Sequence, residues 1–209
     1  MPNETYQFDT IDTPLETYEW DDIWWDNPAD KTVARILIIG DSISCGYRRA
    51  ATKIENRDVF IDGIATSKAV DNKTFYTLID YFASNGLSYD AVFFNNGLHG
   101  WHLDDTENFG KYFEALAAYV KEKFAPKKLF IVLTTPVRKS RQTEIFDERN
   151  EHVKVRNQTI SAAAKKLDAE IVDFYSPIED RADLYTQDGV HLLPEAYASF
   201  ANTVISKVK

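Results

Sequence analysis

A single cysteine, Cys45, stands among 209 residues, so no disulfide can close within the chain and no zinc site can be built from cysteines. Long apolar runs are missing too, since none approaches the roughly 20 residues that a membrane span needs. Basic charge is scarce: 24 Lys and Arg face 33 Asp and Glu, for a net charge of −9 and a pI near 5.0. Nucleic acid and anionic membrane are therefore not expected as partners, because both call for a basic surface. The opening stretch "MPNETYQFDTIDT" lacks the basic and then apolar order of an export signal. As written the chain is expected in the cytoplasm, with secretion open if a leader has been trimmed. Internal repeats are absent. What is present, 44% hydrophobic and 27% charged residues, suits one soluble domain large enough to bury a sizeable core.

The apolar pattern alternates between short strands and helices. Ala34 to Ile39 reads as a buried strand, followed by a helix after the Ser42 turn. A second strand is expected at Val59 to Ile61 and a helix at Lys73 to Ala83, where Phe75, Leu78, Ile79 and Phe82 share one face. Ala91 to Phe94, Leu129 to Leu133 and Glu170 to Phe174 supply three more strands. Glu107 to Phe124, Val153 to Leu167 and Pro194 to Val208 supply the remaining helices, the last with Pro194 in its first turn. Five strands separated by helices imply a doubly wound α/β/α sandwich around a five-stranded parallel sheet, flavodoxin-like in order. Residues 1–32 hold Trp20, Trp24 and Trp25 among acidic groups, and are expected as an irregular arm over a domain of residues 33–209. Ligands of such sheets bind beyond the carboxyl ends of the strands, which directs attention to 40–47, 62–68, 95–102, 134–141 and 175–191.

Two of these segments hold a possible nucleophile and a possible base. "GDSIS" at 40–44 puts Ser42 directly after the first strand, where a serine can be a nucleophile or simply the polar cap of the next helix. "DGVH" at 188–191 sets Asp188 three residues before His191, a spacing that lets a short turn bring the carboxylate to Nδ1 and leave Nε2 for a hydroxyl. Asp188 as a turn residue and His191 as a packing group is the plainer alternative. The doubly wound order brings both segments to one edge of the sheet.

With those two blocks in that order, the chain from about residue 35 onward resembles the SGNH or GDSL hydrolases, a family of esterases, lipases and carbohydrate deacetylases. "LTTPV" after the fourth strand adds to the likeness, as does "FFNNGLHGWH" after the third, which resembles a branch with Gly-Leu-His there. The resemblance implies a carboxylic ester hydrolase with Ser42 as nucleophile, His191 as base and Asp188 as its orienting partner. It also implies an oxyanion hole made of the Ser42 N–H, a backbone N–H at Thr66 where the family has glycine, and the His99 side chain where the family has asparagine. A neutral imidazole can donate one hydrogen bond, and Asn95 or Asn96 are alternative donors. Asn96 and Trp101 are expected to touch substrate.

His99 and His102 with Asp104 and Asp105 match no specific metal spacing, so neither a metal nor another cofactor is expected. The expected partner is a small-molecule or carbohydrate ester, an acetylated sugar foremost, with oligomeric state left open. Acyl transfer is one alternative. Another is a protein of the same fold that binds a glycan on Trp24, Trp25 and Trp101 without turning it over.

Overall fold

The strand Ala34–Gly40 (β2) reads Ala-Arg-Ile-Leu-Ile-Ile-Gly and has no polar face beyond its start, so both sides of it have to be covered. In the computed structural model, which describes residues 13–54, 57–103 and 106–208, it lies inside a six-stranded sheet. The chain runs Asp21–Trp24 (β1), β2, Ser42–Thr52 (α1), Val59–Thr66 (β3), Lys73–Ala83 (α2), Ala91–Phe94 (β4), Thr106–Phe124 (α3) and Lys128–Val132 (β5). It continues with Arg138–Lys139 (β6), Gln142–Phe146 (β7), Arg149–Lys166 (α4), Glu170–Val172 (β8) and Pro194–Ser206 (α5).

Strand order is β1-β3-β2-β4-β5-β8, with β3, β2, β4, β5 and β8 mutually parallel. Alternation along the strands divides the core in two. Ile36, Ile38 and Phe93 face α1 and α5, where Tyr47, Phe174 and Phe200 are buried together. Leu37, Ile39, Val92 and Phe94 face α2 and α3 with Phe75, Phe82, Phe113 and Leu116. The doubly wound sandwich of five parallel strands expected from the sequence is thus present.

The amino-terminal segment departs from expectation. Asp21–Trp24 is a regular strand that pairs antiparallel with β3, from Asp21 opposite Thr66 to Trp24 opposite Gly63. The irregular arm expected over residues 1–32 is therefore corrected over this stretch, while residues 1–12 lie outside the described residues. Its neighbour β3 also runs further than expected, to Thr66 instead of Ile61, because β2 pairs with it as far as Ala65 and β1 as far as Thr66, beyond the reach of the apolar run. Trp25 then stacks on Phe82 at 5.0 Å, and Asp22 binds Arg48 and Arg49 of α1. A second correction lies between β5 and α4: the stretch read as a polar loop contains the β6–β7 hairpin.

Arg35 fastens the segment that follows β1. Its guanidinium donates to Asp62 Oδ1 at 2.9 Å and to the carbonyls of Asp26, Asn27 and Asp30, and both members of the ion pair are buried. Replacing one partner strands the other charge in the interior. Arg35→Met is expected to lower unfolding free energy by about 3–5 kcal/mol, read from the urea midpoint.

Candidate active site

The carboxyl ends of β2 and β4 open on one cleft of ≈ 520 Å³, lined by Ser42, Asp188, His191, His99, Trp101 and Arg149 together with Glu16, Trp20, Leu98, Val137 and Val190. β2 ends at Gly40, where a side chain would meet Ser44 Oγ at 2.2 Å and the Asn95 carbonyl at 2.8 Å. The chain then turns into α1, and the cap of that helix is Asp41. Its carboxylate accepts from the N–H groups of Ile43 at 2.9 Å and Ser44 at 3.3 Å. Ser42 is therefore not the cap. It occupies the first helical position, half-buried, with its hydroxyl turned to the cleft, and its own N–H stands at the electropositive end of α1.

From the other side comes the 186–193 loop. Asp188 Oδ2 lies 2.7 Å from His191 Nδ1, and His191 Nε2 lies 2.9 Å from Ser42 Oγ. An ionised carboxylate only accepts, so the Nδ1–H donates to it and the Nε2 lone pair is left for the Ser42 hydroxyl. Burial works against the Asp188 charge, but N–H groups of Val190 and His191, the His191 ring and the Thr186 hydroxyl together hold its pKa down at about 2. The hairpin missed in the sequence holds this loop in place. Gly189 has φ +76°, and a Cβ there would fall 2.1 Å from the Arg138 carbonyl of β6, so only glycine fits. Arg138 N–H donates to the Gly189 carbonyl at 2.8 Å and Arg141 N–H to that of Gln187 at 2.7 Å.

The third wall is residues 97–103, held from beneath by Arg156 of α4. This buried guanidinium donates to the carbonyls of Gly97 at 3.0 Å, His99 at 2.9 Å and Gly100 at 2.7 Å. It also lies over the Trp101 ring at 4.5 Å, with Arg149 at 5.7 Å from the same ring. From above, the amino-terminal segment inserts Glu16, whose Oε1 accepts the Gly100 N–H at 3.0 Å and stands 3.3 Å from His99 Nδ1. The hydrogen bond from His99, aided by the Gly100 N–H, holds the Glu16 carboxyl below its ordinary pKa despite partial burial. Trp20 completes this side of the cleft.

Of the residues singled out in the sequence, Ser42, Asp188, His191, His99 and Trp101 come together. Thr66 and Asn96 do not. Thr66 is still inside the sheet, fully buried, with its hydroxyl bonded to Asp21 of the added edge strand and to the carbonyl of Trp20 just before it. Asn96 is fully buried and its amide ties the loop after β4 to the Lys68 carbonyl at 2.8 Å. The Asn95 amide is spent likewise on Val132 O and Thr134 Oγ1. The substrate-facing role expected of Asn96 is therefore corrected, and the Thr66 side chain faces the edge strand, away from the cleft. His99, expected as an oxyanion donor, lines the cleft with its Nδ1 3.3 Å from Glu16 Oε1, so a carboxylate competes for the N–H of its ring.

Trp24 and Trp25 lie away from the cleft, the former on the sheet edge beneath Arg48. His102 is paired with Asp71 at 2.9 Å, and Asp104 and Asp105 lie outside the described residues. Among the described residues no group of three His, Cys, Asp or Glu is placed to hold a metal, and no helix is long and apolar enough to cross a membrane. Glu16, Trp20 and Arg149 are cleft residues that the sequence did not disclose. Nothing in their local pattern separates them from surface charges and arm packing.

No family model matches the sequence, and no curated protein matches it. Solved structures do match in fold. A GDSL-like lipase from Bacteroides thetaiotaomicron superposes with a TM-score of 0.62 at 19% identity, over 84% of this chain and 89% of its own. An acetyl xylan esterase superposes with a TM-score of 0.63 at 17% identity over 84% and 100%. A carbohydrate acetylesterase from Sinorhizobium meliloti gives 0.62 at 17% over 84% and 98%. The architecture is the one these proteins share.

Two outcomes follow from the site's electrostatics. Asp188 contributes stability above the ordinary carboxylate value of 3.8, and that contribution is lost as pH falls toward about 2. The stability gap between the parent and Asp188→Asn is therefore expected to persist down to about pH 4 and to narrow below it, as followed by urea unfolding at each pH. Arg156→Met leaves buried carbonyls without their donor and should cost about 2–3 kcal/mol, measured the same way.

Proposed function

We propose that this chain is a serine ester hydrolase that removes a short acyl group, acetyl foremost, from a carbohydrate or another small alcohol. The observation that carries the reading is the unbroken relay from Asp188 through His191 to Ser42, at 2.7 and 2.9 Å, opening into the cleft. Its support from outside the site is the fold held in common with lipases and acetylesterases.

Ser42 Oγ attacks the ester carbonyl as its proton passes to His191 Nε2. Asp188 stabilises the imidazolium without taking the proton itself. The negative oxygen of the tetrahedral intermediate is met by the Ser42 N–H at the start of α1, where the helix dipole favours negative charge. His191 then protonates the departing alcohol. Water, deprotonated by the same imidazole, attacks the acyl-serine, and that proton passes to Ser42 Oγ as the acid is released. No step calls on a cofactor. Leu98, Val137 and Val190 supply apolar wall for a short acyl group, and Trp20 and Trp101 supply aromatic wall suited to a sugar.

Ser42→Ala is expected to lower kcat on aryl acetates by several powers of ten, with the fold intact by circular dichroism. Ser44→Ala should keep most of the rate, since Ser44 is buried against the Tyr47 hydroxyl. Adding His191→Ala to Ser42→Ala should cost little more than Ser42→Ala alone, because the pair acts as a unit. A serine-directed phosphonate should label Ser42. Parent-level turnover in Ser42→Ala would remove Ser42 as the nucleophile, and a parent that neither turns over aryl acetates nor is labelled at Ser42 would favour glycan binding without catalysis.

A further inference from the structure

The cleft is faced by two histidine–carboxylate pairs, and the hydrolytic steps use only one of them. The other, His99 with Glu16, joins positions 83 residues apart in sequence. Both ends of it are fixed. Glu16 Oε1 is held by the Gly100 N–H at 3.0 Å, and the backbone of His99 is anchored by Arg156 on its carbonyl at 2.9 Å. Turning the carboxylate away would break its bond to the Gly100 N–H, and turning the ring would take Nδ1 from its place 3.3 Å from Glu16 Oε1.

The tautomer follows from the partners. Glu16, kept ionised by its hydrogen bonds, is an acceptor only. A neutral imidazole carries one N–H, and facing such an acceptor that N–H is on Nδ1. Nε2 is then a lone pair on the far side of a ring that lines the same cleft as Ser42. The nearby His102 does not compete for Glu16, because its Nε2 is engaged with Asp71 at 2.9 Å. A lone pair in a cleft recognises a donor, and an ester offers none of its own. The donor has to be elsewhere on the alcohol.

We propose that His99 Nε2 is an acceptor subsite for a free hydroxyl of the substrate, and that Glu16 is the positioning residue that sets the ring's tautomer for it. The ligand class is an ester of a polyol, such as a partly acylated sugar, with an unmodified hydroxyl close to the acylated one. This rests on the ester hydrolase reading. It also gives the amino-terminal segment a part in specificity, since Glu16 and Trp20 both enter the cleft from it.

The test uses the full chain and two matched substrates: a mono-O-acetylated methyl xyloside with the neighbouring hydroxyl free, and the same ester with that hydroxyl methylated. The parent should prefer the free hydroxyl about tenfold in kcat/KM, roughly the discrimination that one hydrogen bond supplies. His99→Leu should bring the ratio near one. Glu16→Ala should lower it several-fold by releasing the ring, an effect that loss of a merely structural contact would not produce because it would slow both esters alike. An unaltered ratio in both variants, or no preference in the parent, overturns the proposal. Equal losses on both esters in His99→Leu would instead assign His99 to the reacting carbonyl. If the parent hydrolyses neither ester nor p-nitrophenyl acetate, the hydrolase reading itself fails, and the subsite falls with it.

Discussion

The aliphatic run of β2 is apolar on both faces, and the architecture is the means of covering it. Ile36 and Ile38 need one layer of helices, Leu37 and Ile39 need another, and β3 and β4 close its two edges. A strand enclosed in this way ends against other backbone, so its last residues are held to narrow tolerances. Gly40 leaves no room for a side chain, Asp41 spends its carboxylate on the helix that follows, and Ser42 emerges where α1 begins. The position of the hydroxyl is thus a consequence of core burial, with the capping hydrogen bonds of Asp41 as the local device.

Around that fixed point, one rule of imidazole chemistry appears twice. A carboxylate accepts the Nδ1–H of His191 and leaves Nε2 basic toward Ser42. Another carboxylate faces Nδ1 of His99. The two pairs differ in how the chain supplies the partner. Asp188 is three residues from His191 on a turn closed by Gly189, so the pair is made locally. Glu16 reaches His99 only because β1 joins the sheet and Arg35 and Asp22 fasten the neighbouring chain to the domain. Local pairing survives small shifts of the fold. A pairing made through an added edge strand depends on that strand remaining docked.

The same difference explains where the sequence could be read and where it could not. Parallel strands and most helices were legible because their burial leaves period and length in the residues themselves. β1 was not: Asp-Asp-Ile-Trp carries little apolar pattern, and its stability as a strand comes from pairing with β3. The reading of Thr66 as a loop residue failed because β3 does not end early: β2 pairs with it up to Ala65 and β1 up to Thr66. Asn96 was misread for a related reason. An amide one residue beyond a strand can face a ligand or tie two loops together, and the choice is made by the Lys68 carbonyl, which lies across the sheet edge.

By itself, the sequence determined the doubly wound order, the exclusion of a disulfide, and the short-range grammar of Gly-Asp-Ser and Asp-Gly-Val-His. Each of these is written in neighbouring residues, where spacing alone sets which groups can meet. Tertiary structure alone decided that the β6–β7 hairpin braces the His191 loop and that Glu16 stands beside His99. Those outcomes turn on distances between segments far apart in the chain. A hydrogen bond is directional over a few tenths of an ångström, a tolerance that periodicity in sequence does not encode and packing does.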